Sequence, residues 1–144
     1  MNTPSLMFAV PSMLSLFLAL AAVSSPAAAQ SDSSVKAQES PFACNRLALS
    51  PEQRKRHFDE VGPKLLALRK DVRELDNGYE FEFPADPAAI MLAAEWVAYE
   101  RACCPFFDID LRLEREGGPF WLRVTGREGV KQFIRADGAA WVKK

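Results

Sequence analysis

The sequence predicts an α+β fold, a two-layer sandwich in which a four-stranded antiparallel sheet carries its helices on one face. Three segments have apolar residues at helical spacing, and four segments alternate apolar with polar residues as strands do. Turn signals join the four strand segments in pairs. The elements therefore follow one another in the order α-ββ-α-ββ-α.

The N-terminal region is unlike the rest of the chain, because residues 1–29 contain no Asp, Glu, Lys or Arg. The almost purely apolar run Met13–Val23 is followed by small residues that end at Ala29. This pattern is typical of a secretory signal peptide. We predict cleavage after Ala29 and a periplasmic or secreted location, with no membrane association afterwards. Two alternatives remain open: an uncleaved membrane anchor, and a misassigned start codon that would leave the protein in the cytoplasm.

The remaining residues divide into a linker and a single domain. Residues 30–41 are small and polar without periodicity, which indicates a flexible linker. A single α+β domain is predicted over residues 42–144, and its length allows one hydrophobic core without help from metal or disulfides.

A capping box at residues 50–53, with Ser50 as N-cap and Pro51 in the first helical position, begins the first helix. The buried face is predicted from apolar residues spaced by three or four: Phe58, Val61, Leu65 and Leu68. Gly62-Pro63 predicts a kink or a break. The basic run 54–56 indicates a solvent-exposed side, on which His57 is also expected.

Two hairpins are predicted, the first from residues 72–75 and 79–83 around an Asn-Gly turn. The second comes from residues 107–114 and 120–125 around Gly117-Gly118-Pro119. Acidic residues that alternate with apolar ones predict the solvent face of the sheet: Glu80, Glu82, Asp108, Asp110 and Glu114.

The second helix lies between the hairpins, with Asp86 as N-cap and Pro87 in the first helical position. Only three of the residues 88–104 are charged, so we expect this helix to lie deep in the fold. Pro105 disfavours helical geometry at Cys104 and predicts the helix end there. A last short helix is predicted over residues 128–136.

The candidate chemistry is concentrated in the segment Glu100-Arg101-Ala102-Cys103-Cys104-Pro105-Phe106. Two adjacent thiols can chelate one thiophilic ion, such as Hg(II), Cu(I), Zn(II) or trivalent arsenic. Cys44 supplies a third sulfur if the N-terminal segment packs beside this helix end. Glu100 shares the helix face of the two cysteines and can act as an oxygen ligand or as a base. The predicted metal ligands are therefore Cys44, Cys103, Cys104 and Glu100, and the predicted partner is a soft metal or metalloid ion.

This segment resembles small bacterial proteins of unsettled activity that carry an E-x-x-C-C-P-F signature at a helix-to-strand junction. The likeness extends to Cys44, to the strand Gly78–Phe83 and to the stretch Trp121–Val130, and it covers residues 44–135. The apolar N-terminus is a departure, because we expect many of these relatives to be cytoplasmic. The resemblance implies no particular reaction.

Two other functions remain open at this point. The cysteines can act in thiol redox chemistry, through a bond between Cys103 and Cys104 or through a disulfide that contains Cys44. A bond between the adjacent cysteines would be strained, because their Cα atoms are too close for ordinary disulfide geometry. Alternatively, the cysteines are inert and the chain is a structural or interaction domain. An apolar ligand pocket between helix and sheet is a further possibility.

Several function classes are disfavoured by composition and motif. The net charge of −1 offers no basic excess for nucleic-acid binding. A nucleophilic cysteine enzyme is less favoured, because the C-terminus of a helix and the charge of Glu100 both raise a thiol pKa. No C-x-x-C motif, phosphate-binding loop or dinucleotide fingerprint is present. The sequence leaves open whether the protein is an enzyme.

Overall fold

The computed structural model describes residues 39–143, so the predicted signal peptide (1–29) and most of the predicted linker (30–41) lie outside the described residues. The predicted α+β fold is confirmed, with all of the predicted helices and strands present. Its main elements are α1 (Pro51–Arg54), a π-helical stretch (Lys55–Val61), α2 (Gly62–Leu68), β1 (Asp71–Leu75), β2 (Gly78–Phe83), α3 (Pro87–Cys103), β3 (Asp108–Leu113), β4 (Phe120–Thr125), α4 (Val130–Asp137) and α5 (Ala139–Val142).

The two hairpins form one antiparallel sheet with the strand order β1-β2-β4-β3. The strands β2 and β4 are central and pair over their whole length, from Gly78 opposite Thr125 to Phe83 opposite Phe120. Gly78 is required at this position, because a Cβ there would lie 2.1 Å from the carbonyl oxygen of Val124. The strand order, which the sequence left open, therefore joins the two predicted hairpins through their second strands.

One face of the sheet packs against the helices. Its residues are buried and belong to one hydrophobic cluster with Val61, Leu65, Trp96 and Ile134 of the helices: Val72, Tyr79, Phe81, Phe83, Phe120, Leu122 and Val124. Trp141 of α5 extends this cluster, with its ring 5.7 Å from that of Phe81 and 5.4 Å from that of Trp96. The sheet and the helices thus enclose a single core.

The opposite face of the sheet is less exposed than expected. Glu80 was predicted on the solvent face, but its side chain is only 7% exposed. The guanidinium groups of Arg73, Arg112 and Arg123 lie 3.2–3.7 Å from its carboxylate. Arg73 also stacks on the ring of Trp121, 3.8 Å from its centroid. The prediction failed because the arginines that cover Glu80 come from three other strands, β1, β4 and β3, and not from its own sequence neighbourhood.

The first helix begins with the predicted capping box, in which Ser50 and Gln53 each bond the other's backbone N–H. It does not break at Gly62-Pro63, since Gly62 has helical dihedral angles, and a π-helical stretch, Lys55–Val61, precedes this pair. Pro63 cannot donate a backbone hydrogen bond, and the amide of Gly62 reaches back to the carbonyl of His57, five residues earlier. The expectation that His57 is exposed is wrong, because its side chain is 2% exposed.

The central helix α3 has the predicted N-cap, since Asp86 accepts a hydrogen bond from the amide of Ala89. The expectation that this helix lies deep in the fold holds for one side only, because Met91 is 69% exposed. A single stripe is buried: Ala89, Ala93, Trp96, Glu100 and Cys103. Within residues 39–143, no helix combines the length and apolar character needed to cross a membrane.

Candidate functional site

The site forms where the N-terminal segment meets the end of α3. The amide of Asn45 donates a hydrogen bond to the carbonyl of Cys103 at 2.7 Å, which ties the two segments together. Cys44 and Cys104 then lie with their Cα atoms 4.5 Å apart and are joined as a disulfide. Of the pairings that the sequence left open, the structure has the bond between Cys44 and Cys104, and the adjacent cysteines are not bonded to each other.

Cys103 is the remaining thiol, and it is completely buried. Its Sγ lies 3.6 Å from the Sγ of Cys104 and 3.6 Å from the carbonyl oxygen of Glu100. Burial, and secondly the charge of Glu100, raise the pKa of the Cys103 thiol to about 11. At neutral pH this thiol is therefore protonated and a poor nucleophile.

Glu100 and His57 form a buried pair beside the sulfurs. The His57 Nε2 and a Glu100 carboxylate oxygen are 2.8 Å apart, and the two side chains are 2% and 11% exposed. The other ring nitrogen of His57, Nδ1, is buried and has no hydrogen-bond partner among residues 39–143. A buried polar atom without a partner is unusual and marks this point as a candidate contact for a ligand.

Glu100 belongs to two groups of side chains that could hold a metal ion. One group is Cys44, Glu100 and Cys104, and the other is His57, Glu100 and Cys103. Within each group the candidate ligand atoms lie within 4.8 Å of one another. All four sequence-predicted ligands therefore meet at one place, and His57 joins them.

Sequence analysis missed His57, because it directly follows the basic run 54–56 and was assigned to the same exposed side. In the structure His57, Val61 and Leu65 lie on the inner side, each four residues from the next, a spacing that places them on one helix face. A π-helical turn inside a helix is often found at functional sites. The Gly62-Pro63 pair that follows was the available signal for this irregularity.

A cavity of about 720 Å³ adjoins the sulfurs. Cys44, Cys104, His57 and Glu100 line one part of it. Aromatic side chains form a large part of the remaining wall, including Phe58, Phe81, Trp96, Phe107, Phe133 and Trp141, and the charged residues Arg46 and Asp137 also line it. A largely apolar cavity of this size with a few polar groups has the character of a small-molecule site.

Comparison of the chain with protein-family models, with curated proteins and with solved structures finds no match. The chemistry of the site is therefore inferred from its geometry alone. The site consists of a disulfide, a buried thiol and a His–Glu pair at the edge of an aromatic cavity.

Proposed function

We propose that the reduced protein binds a soft metal or metalloid ion through Cys44, Cys103 and Cys104. The observation that carries the proposal is the convergence of three sulfurs: Cys44 and Cys104 at bonding distance, and Cys103 3.6 Å from Cys104. Sulfur ligands select soft ions, and a single ion can contact all three once the disulfide is reduced.

The carboxylate of Glu100 supports this function in one of two ways. It can complete the coordination of an ion as an oxygen ligand, because it belongs to the group that contains Cys44 and Cys104. It can also accept the proton that a thiol loses when the ion binds, since thiols bind metals as thiolates. The raised pKa of Cys103 makes such a proton acceptor useful.

The disulfide makes the binding dependent on redox state. Reduction of the bond between Cys44 and Cys104 consumes two electrons and two protons from an external thiol or dithiol and produces two cysteine ligands. We therefore expect the oxidised protein, with one buried thiol, to bind soft ions weakly. Disulfides persist in oxidising compartments, which accords with the proposed export of the chain and its cleavage after Ala29.

The proposal is tested by alkylation and intact mass spectrometry. The protein is reduced, freed of reductant without oxygen, and incubated with one equivalent of Hg(II) or arsenite before alkylation. The expected result is protection of all three thiols by one ion, with less protection in Cys103→Ser. Three alkylated thiols in the presence of the ion would refute the proposal. A mature chain that does not begin at Gln30 would separately refute the proposed cleavage.

A thiol redox protein is the second candidate, and the observation that favours it is the disulfide itself. Attack of Cys103 on Cys104 would release Cys44 and form a bond between adjacent cysteines. The raised pKa of Cys103 and the strain of such a bond both oppose this step. Reversible oxidation of Cys44 and Cys104 without ion protection would favour the redox function. If the protein shows neither ion protection nor reversible oxidation, the remaining interpretation is a structural or interaction domain with inert cysteines.

A further inference from the structure

The aromatic cavity is far larger than a coordinated ion needs. Its volume of about 720 Å³ falls within the range of pockets that hold small organic ligands. Cys44 and Cys104 both line this cavity, whereas Cys103 is fully buried and is not among the described lining residues. The two cysteines of the disulfide therefore face the organic-sized space, and the third sulfur does not.

The walls of the cavity suit an aromatic ring. Trp96 and Trp141 have ring centroids 5.4 Å apart, and Phe81 lies 5.7 Å from Trp141. These contacts are made among the wall residues themselves, and the parts of the same rings that line the cavity can make offset or edge-on contacts with an aryl group. The polar lining consists of the cysteines and the His57–Glu100 pair together with Arg46 and Asp137. A ligand with one thiophilic atom and one apolar substituent matches the sulfurs and the aromatic part of the wall.

We propose that the site binds trivalent arsenic that carries one aryl group, with arsenic held by Cys44 and Cys104 and the ring in the cavity. An aryl arsenic(III) oxide reacts with two thiols to form two As–S bonds and release one water, while both thiol protons go to the departing oxygen. Arsenic keeps its oxidation state throughout. The two thiols are first generated from the disulfide by an added dithiol, which is itself oxidised. This inference rests on the proposed function and names its substrate class.

The two classes of ligand use different sulfurs. Inorganic arsenite has three exchangeable oxygens and engages all three cysteines, whereas an aryl arsenic(III) compound engages only two. Cys103→Ser should therefore weaken arsenite binding and leave the binding of the aryl compound unchanged. Since Cys103 is not among the described lining residues, we expect its substitution to leave the space offered to the ring unchanged.

The experiment compares the affinities of phenylarsine oxide, methylarsine oxide and arsenite for the reduced mature protein. A free dithiol serves as the reference for the affinity that As–S bond formation alone provides. We expect the phenyl-to-methyl affinity ratio to exceed that of the free dithiol by roughly tenfold or more, because the ring is buried. Leu66→Trp, which fills the cavity from its lining, should reduce this excess without weakening arsenite binding. Leu68→Trp, outside the described lining and 39% exposed at Leu68, is the matched control.

The outcomes separate the two proposals. Arsenite binding with a phenyl-to-methyl ratio equal to that of the free dithiol would overturn the aryl inference and leave the ion-binding function standing. Failure of the reduced protein to bind any of the three compounds would overturn both. Should Leu66→Trp fail to fold, Phe133→Ala replaces it and is expected to lower the same ratio by removing one aromatic wall.

Discussion

The His57 Nε2 lies 2.8 Å from a Glu100 carboxylate oxygen, in a contact that joins the π-helical stretch to the last turn of α3. Both side chains are almost inaccessible to solvent. The pair therefore fixes the carboxylate beside Cys103 and Cys104, and it connects the irregular helix to the sulfur cluster. A buried polar contact of this kind is costly to leave half-made.

Glu100→Gln should lower the free energy of unfolding by about 1–3 kcal/mol, because a neutral amide replaces a charged acceptor in a buried hydrogen bond. Glu95→Gln is the matched control on the same helix. Glu95 pairs with Arg56 at 2.7 Å, but its side chain is 29% exposed. We expect that substitution to cost less than about 1 kcal/mol. Equal costs in urea denaturation would contradict the importance of the buried pair.

The pH profile of Cys103 provides a second prediction. Its carbon NMR shift should titrate near pH 11 in the folded, disulfide-bonded protein and near the ordinary thiol pKa in urea. Because the folded state holds this proton more tightly, its contribution to stability is full below the unfolded pKa and is lost as pH rises towards 11. Glu100→Gln should lower the folded pKa by removing a negative charge, but not fully, since burial is the larger cause. A midpoint that is the same in the folded and unfolded protein would refute the prediction.

The fold could be predicted because its signals are local. The capping box at Ser50, the turn before Gly78 and the N-cap at Asp86 each specify an element through neighbouring residues. The strand order could not be predicted in this way. The pairing of β2 with β4 depends on contacts between distant segments, such as Phe83 opposite Phe120.

Part of the candidate site could be predicted from the sequence. The adjacent cysteines and Glu100 are visible as a motif within one helix end, and Cys44 was the only other cysteine in the chain. His57 was placed on the wrong side because it follows the basic run 54–56, although its spacing of four residues to Val61 matches the buried face. The choice of Cys104 as the partner of Cys44 depends on the hydrogen bond between Asn45 and Cys103, a tertiary contact without a sequence signal.

The contribution of Glu80 to stability can be measured by substitution. Glu80→Ala should lower the free energy of unfolding by about 1–3 kcal/mol, since three neighbouring guanidinium groups would lose their shared counter-charge. Added salt should partly restore stability by screening the repulsion among the arginines. Glu82→Ala, on the same face of the same strand and with Glu82 only half-buried, should stay within about 0.5 kcal/mol of the unsubstituted protein. A loss for Glu82→Ala as large as that for Glu80→Ala would contradict this account.

Of the changes considered, loss of the disulfide is expected to lower the free energy of unfolding the most. Cys44 and Cys104 are separated by 60 residues, and a loop of that length corresponds to about 4 kcal/mol in the chain-entropy model. Reduction should therefore lower the unfolding midpoint in urea, and Cys44→Ser should produce a similar loss.

In Cys44→Ser a reductant should have no further effect, because the remaining cysteines are adjacent and unbonded. Cys103→Ser should keep the full response to reductant, since its sulfur takes no part in the bond. A Cys44→Ser protein that still responds to reductant would mean that Cys103 and Cys104 pair with each other, and the redox control proposed for ion binding would then reside in the adjacent pair.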